Sequence, residues 1–205
     1  MPQHVCMTRL PAVLGTDHLP LAELCAARLD GELFAIDDGW APVDEPDLPA
    51  FRAMATAMRA PRALIIERMS AAWVHGACDA PPAVAQFCVS LDARIAVIGD
   101  HRAAVREVRI DDDDIMRFGE IRCTSFERTA FDLLRDPTLG DTEVVDVVAA
   151  LIADQPSLAG ALHDRFDAAV RLPHKATARR RLEYAERGGR RRASIDDRGQ
   201  PSLTR

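Results

Sequence analysis

The chain has 205 residues, 48% of them hydrophobic and 28% charged, with a formal net charge of −6. That is enough for one medium domain, or one domain with a small appendage. No stretch approaches the roughly 18 consecutive apolar residues of a membrane span, so no membrane partner is expected.

In chain order, Pro11-Ala12-Val13-Leu14 reads as a short helix. Leu21, Leu24, Cys25 and Leu29 predict a helix that ends at Asp30-Gly31. Glu32–Ile36 reads as a strand, Asp37-Asp38-Gly39 as a hairpin turn and Trp40–Val43 as the returning strand. A helix followed by a hairpin is what the end of a winged helix-turn-helix looks like, here a small degenerate piece over residues 1–45. A DNA-binding wing needs basic side chains to meet phosphates, and Glu32 to Trp40 contains no Arg or Lys. The Pro-rich Pro42–Pro49 reads as a connection. Ala50–Ala60 is predicted as a helix with Phe51, Met54, Ala55 and Met58 apolar. Pro61 opens the next segment, where a missing amide is harmless. Ala63–Val74 then predicts a second helix, closed by Gly76.

Short β-type runs follow at Val84–Val89, Arg94–Ile98, Ala104–Ile110 and Phe118–Cys123. The gaps are too short for crossover helices, so a small mixed or antiparallel sheet is expected. Ile121–Leu134 reads as a strand running straight into a helix. Thr124 with Glu127 fits a capping box. Phe126, Ala130, Leu133 and Leu134 form one apolar stripe. Arg128 and Asp132 are spaced to pair, and Asp136-Pro137 stops the helix. Helices are predicted over Thr142–Ala153, from a Ser157 cap through Val170, and over His174–Arg187, where Gly188-Gly189 ends the last one. The fold class read here is α+β, with a main domain over 46–187 and a helical C-terminal half. Residues 188–205 read as a basic flexible tail.

Charge and cysteine usage narrow the chemistry. Lys175 is the only lysine, so no earlier residue can be a phosphate-binding lysine or a Schiff base. Residues 165–205 hold 12 basic and 5 acidic residues, a net of about +7, against 14 and 27 in the rest, about −13. An acidic body with a basic arm suggests a partner of opposite pattern, or an arm that touches nucleic acid. On that second reading the nucleic-acid-binding residues are Arg179, Arg180, Arg181, Arg190, Arg191 and Arg192. The five cysteines are odd in number and form no C-x-x-C pair. They are read as buried small hydrophobes in a reducing cytoplasm, and no secretory leader pattern is read at the N-terminus.

Asp111-Asp112-Asp113-Asp114 could hold Mg²⁺ but reads more simply as a solvated turn, or as an anionic patch for a basic partner. His75 reads as a helix C-cap favourable to the dipole. There is no P-loop, kinase Gly-rich loop with its lysine, nucleophile elbow or H-E-x-x-H. No catalytic residue, metal ligand or cofactor is assigned.

Three features together resemble the AbiEi family, the antitoxins of AbiE-type toxin–antitoxin systems. They are the helix end Ala71-Ala72-Trp73-Val74-His75-Gly76, the strand-into-helix Ile121–Leu134 with the string Arg128-Thr129-Ala130-Phe131-Asp132-Leu133 as its most specific part, and the order of elements over residues 19–187. The resemblance implies a winged-helix piece that binds operator DNA and a domain that opposes a cognate nucleotidyltransferase-like toxin. On that basis Trp73, His75, Arg128 and Asp132 are expected to bind the partner. The expected function is neutralisation of the toxin by direct binding. One alternative is an atypical protein kinase that phosphorylates the toxin, which would require ATP and Mg²⁺. Another is a DNA-binding autoregulator of the operon.

Overall fold

The computed structural model describes residues 11–60, 63–93 and 101–196, with the backbone alone for 189–196. The strand expected at Arg94–Ile98, the segment start at Pro61 and the tail beyond residue 196 lie outside the described residues.

The N-terminal piece holds α1 (Leu21–Leu29) and a hairpin of β1 (Leu33–Ile36) and β2 (Gly39–Pro42), with Ile36 opposite Gly39. Asp37 takes φ 52° in the turn, a left-handed conformation that Asp tolerates better than most residues. Pro11–Leu14 does not form the expected helix. Leu14 instead exchanges backbone hydrogen bonds with Trp40 at 2.7 and 2.9 Å, adding an edge to the hairpin. An isolated two-stranded hairpin is marginal, so this extra edge and the small core of Leu14, Leu24 and Leu33 hold it.

The body begins with α2 (Pro49–Ala57), β3 (Ile65–Ile66), α3 (Arg68–Val74), β4 (Ala85–Ser90) and β5 (Ala103–Val108). It continues with β6 (Ile115–Phe118) and β7 (Ile121–Thr124). The strands form one mixed sheet in the order β5-β4-β3-β7-β6. β3 runs parallel to β7 and antiparallel to β4, and β4 runs parallel to β5. The single helix expected over Ala63–Val74 is therefore two elements. Ile65 and Ile66 are β-branched and buried, 2% and 1% exposed, which suits the centre of a covered sheet. The chain then enters α3 through Arg68 at φ 50°. Phe118–Cys123 is likewise a hairpin rather than one strand, reversing at Gly119 with φ 61°, which glycine adopts without steric cost.

The C-terminal half is α4 (Phe126–Arg135), α5 (Asp141–Asp154), α6 (Leu158–Ala168) and α7 (Lys175–Asp196). Gly188-Gly189 does not end α7. A Cβ on Gly188 would stand 3.6 Å from Ala149 of α5, so the helix is packed there. Packing outweighs a propensity penalty of about 1 kcal/mol per glycine. Residues 188–196 continue the helix and are not the flexible tail that composition suggested. Ser157 sits at the α6 N-cap, but its side chain makes no capping bond.

Two cores meet at α3. Ala72 faces the helical core with Leu133, Val148, Leu162, Phe166 and Leu182. Ala71, Trp73 and Val74 face the sheet core with Phe51, Ile66 and Phe87. No single described helix is long and apolar enough to cross a membrane.

Candidate functional site

The polar centre of the molecule is built outward from the join of β7 and α4. The α4 cap is Ser125 rather than Thr124: Ser125 Oγ accepts the Arg128 backbone N–H at 3.2 Å. The Thr124 hydroxyl pairs instead with that of Thr129 at 2.6 Å, and Glu127 turns to Arg165 at 2.9 Å. This entry angle buries every residue from Arg128 to Leu134, so two charges of α4 lie inside. Buried charges demand partners, and here the partners form an alternating chain.

Glu67, at the N-cap of α3, receives both the Nε and Nη2 of Arg106 on β5 at 2.6 Å. Arg106 Nη2 also reaches Asp132 at 3.4 Å. Asp132 accepts from Arg128 Nε at 2.9 Å, the i,i+4 pair expected from the sequence. Arg128 Nη1 donates to Asp114 at 2.7 Å. Arg165 of α6 donates to both Asp114 oxygens at 2.8 and 3.0 Å and to Glu127 at 2.9 Å. One continuous array thus ties α3, β5, α4, the 3₁₀ turn at Asp112–Asp114 and α6 together. The four aspartates are not wholly a solvated turn. Asp111, Asp112 and Asp113 are exposed, whereas Asp114 is 7% exposed and belongs to the array.

The electrostatics follow from burial set against pairing. Burial pushes the Glu67 carboxyl up and the Arg106 guanidinium opposes it. Burial works against the charge on Arg106, but Glu67 outweighs it and holds that proton more tightly than usual. Burial would also raise Asp114, but Arg165 and Arg128 prevail and hold it below the ordinary carboxylate range. Removing one member of such a pair strands its partner, at about 3–5 kcal/mol.

The sequence-derived partner residues lie inside the fold. Arg128 and Asp132 are 8% and 7% exposed and join in the array. Trp73 is 4% exposed, with the Arg52 guanidinium 5.8 Å from its ring centroid and donating to its carbonyl at 2.9 Å. His75 is the C-cap of α3 and 6% exposed. Its Nε2 bonds the Thr124 carbonyl at 2.8 Å, which assigns the proton to Nε2, and its ring stacks on Phe126 at 4.0 Å. Nδ1 is buried without a partner. Burial lowers the His75 pKa to about 4, so the imidazole is neutral at pH 7.

Of the arginines read as nucleic-acid contacts, Arg181 is internal, at 4% exposure. It donates to the carbonyls of Leu134, Asp136 and Leu139 at 3.1, 2.7 and 2.8 Å, satisfying the end of α4 and the turn after it. Arg179 and Arg180 are exposed and pair with Asp167 and Asp141. Arg190, Arg191 and Arg192 lie on α7, and their side chains are outside the described residues. Among the described residues, no group of three or more His, Cys, Asp or Glu is placed to hold a metal ion.

The residues Leu21, Leu24, Cys25 and Leu29, from which the helix was predicted, divide between core and surface, and Cys25 is not the buried hydrophobe expected of it. Leu24 is buried at 0%. Leu21, Cys25 and Leu29, at i, i+4 and i+8, are all exposed, with Leu21 at 54% and Leu29 at 88%. Val43 and Leu48 nearby in the chain are 60% and 56% exposed, beside the exposed acids Asp44 and Asp47. The hairpin tip is engaged internally: Asp37 pairs with Arg59, and Asp38 with Arg102 at 2.9 Å. The signal available in the sequence was that nine residues of α1 carry more apolar side chains than one narrow face needs. Compared with protein-family models and with curated proteins, the chain finds no match.

Proposed function

We propose that this chain is an antitoxin that neutralises a nucleotidyltransferase-like toxin by direct binding, with the exposed face of α1 as its principal contact. The carrying observation is the Leu21–Cys25–Leu29 stripe. In a winged helix, the helix before the hairpin is the one that reads DNA, and it needs basic and polar side chains for that. Here that helix offers leucines to solvent, and the hairpin tip carries acids already paired with arginines of the body. An exposed apolar stripe suits an apolar patch on a protein partner. The partner's identity rests on the resemblance carried by Ala71–Gly76, Ile121–Leu134 and the order of elements around them. The buried array gives the binding protein a rigid frame, and Trp73, His75, Arg128 and Asp132 act from beneath the surface.

Co-expression with the neighbouring gene tests this reading. Rescue of growth, with a co-purifying complex and an unchanged toxin mass, supports neutralisation by binding. A mass gain on the toxin requiring ATP and Mg²⁺ supports the phosphorylating alternative instead. Operator binding without any protein complex supports the autoregulator.

A further inference from the structure

A cleft of about 1070 Å³ opens between α1, the base of the β1–β2 hairpin and the start of α2. That exceeds the roughly 300–1,000 Å³ of ordinary small-molecule pockets and leaves room for several side chains of a peptide segment. Leu33 of β1 and Phe51 of α2 line it and are buried, with half-buried Leu19, Ala27 and Met54 beside them. Leu48, the N-cap of α2, also lines it and is 56% exposed. The charge in the lining has one sign: Glu32, Asp44 and Glu45 contribute to it, and no Arg or Lys does. Among the described residues none of these three carboxylates has an ion pair or a side-chain hydrogen bond, whereas Asp47 close by is held by Arg52 at 2.6 Å. The backbone beneath the acids is fixed. The Glu32 N–H donates to the Ala27 carbonyl at 2.9 Å, the Glu32 carbonyl accepts from Val43 at 3.1 Å, and the Glu45 N–H donates to the Pro42 carbonyl at 3.1 Å. Apolar walls open to water gain by being covered. Unpaired carboxylates beside them favour a cover that brings cations and repel one that brings anions.

We propose that this cleft docks a segment of a partner protein in which apolar anchors are flanked by Arg or Lys. The anchors cover Leu33, Phe51 and Leu48, and the flanking cations meet Glu32, Asp44 and Glu45. Apolar cover supplies most of the affinity, and the exposed ion pairs set which sign of flank is accepted. The cleft is separate from the α1 stripe, because Leu21, Cys25 and Leu29 do not line it. Its test uses no toxin, so failure here and failure of the antitoxin reading are read independently.

The test is an NMR titration of the full chain, methyl-labelled at Leu and Met, with a blocked peptide of sequence Arg-Leu-Phe-Leu-Arg. Saturable shifts are expected at the methyls of Leu19, Leu33, Leu48 and Met54. A peptide with glutamates in place of the arginines, and one with serines in place of the apolar residues, should each bind at least about fivefold more weakly. These comparisons use the unaltered protein and do not depend on a variant folding. Glu32→Gln combined with Glu45→Gln should weaken the arginine peptide about fivefold. Glu23→Gln, exposed on α1 and outside the cleft, should leave its binding unchanged. No saturable shift in the cleft, equal binding of the arginine and glutamate peptides, or full affinity in the folded double variant would overturn the proposal. Cleft signals that move with protein concentration, or contacts from residues 1–10 to the cleft methyls in the free protein, would give the cleft to a second copy or to the chain itself and overturn it as well.

Discussion

The α4 hub and the α1–hairpin piece solve opposite problems with similar material. Around α4, charges are taken inside and matched one against another, from Glu67 through Arg106, Asp132, Arg128, Asp114 and Arg165 to Glu127, between two apolar cores. In the N-terminal piece the core is three buried residues, Leu14, Leu24 and Leu33, and several leucines are left in water. A buried ion chain adds little net stability over apolar packing, but it punishes any other arrangement of its members. An exposed leucine stripe costs little in folding and gains by covering. The contrast teaches that the hub specifies shape, while α1 supplies surface.

The largest effect is expected from breaking the hub. Arg128→Ala leaves buried Asp132 with only the longer Arg106 hydrogen bond at 3.4 Å and takes one of two arginines from Asp114, and should cost about 3 kcal/mol in urea unfolding. Acid attacks the same region. His75 is held at about 4 in the fold against 6.5 ordinarily, so between those values the unfolded chain binds a proton that the folded chain refuses. Stability is full above pH 6.5 and falls as the pH drops towards 4, by about 3 kcal/mol from this group. His75→Gln, which can still donate to the Thr124 carbonyl, should flatten that limb of a stability-versus-pH curve. Asp114, held low by Arg165 and Arg128, contributes its own loss below the ordinary carboxylate range.

On α1 the comparison sharpens within one helix. Leu24→Ala should cost about 2 kcal/mol, because its side chain is fully buried in the small core. Leu29→Glu should change stability by no more than about 0.5 kcal/mol, because that side chain is already 88% exposed. Thermal or urea melts of the two variants side by side check both.

Local signals in the sequence carried the architecture a long way. The hairpin at Asp37–Gly39 and the Arg128–Asp132 pair were both readable, because each is fixed by spacing within a few residues. The α4 cap was misplaced by one position, since Thr124 and Ser125 are adjacent and either can cap; the strand pairing of Thr124 with Ile115 decided it. Ile65 and Ile66 were absorbed into a helix because a two-residue strand has no periodicity of its own, and distant β4 and β7 create it. The ion array was illegible for the same reason. Glu67, Arg106, Asp114 and Arg165 lie far from Asp132 and Arg128 along the chain, and nothing local marks them as partners. Arg181 read as part of a basic run, and the tertiary fold turned it into the cap of a helix more than forty positions earlier.

The measurement closest to the central claim is the affinity of the purified chain for the proposed toxin partner, sought in the product of the neighbouring gene, compared between the unaltered protein and Leu29→Glu. The account predicts a tight complex weakened at least about thirtyfold by that change, at unaltered melting temperature. Equal affinity of the two proteins, or no complex with either, would contradict it.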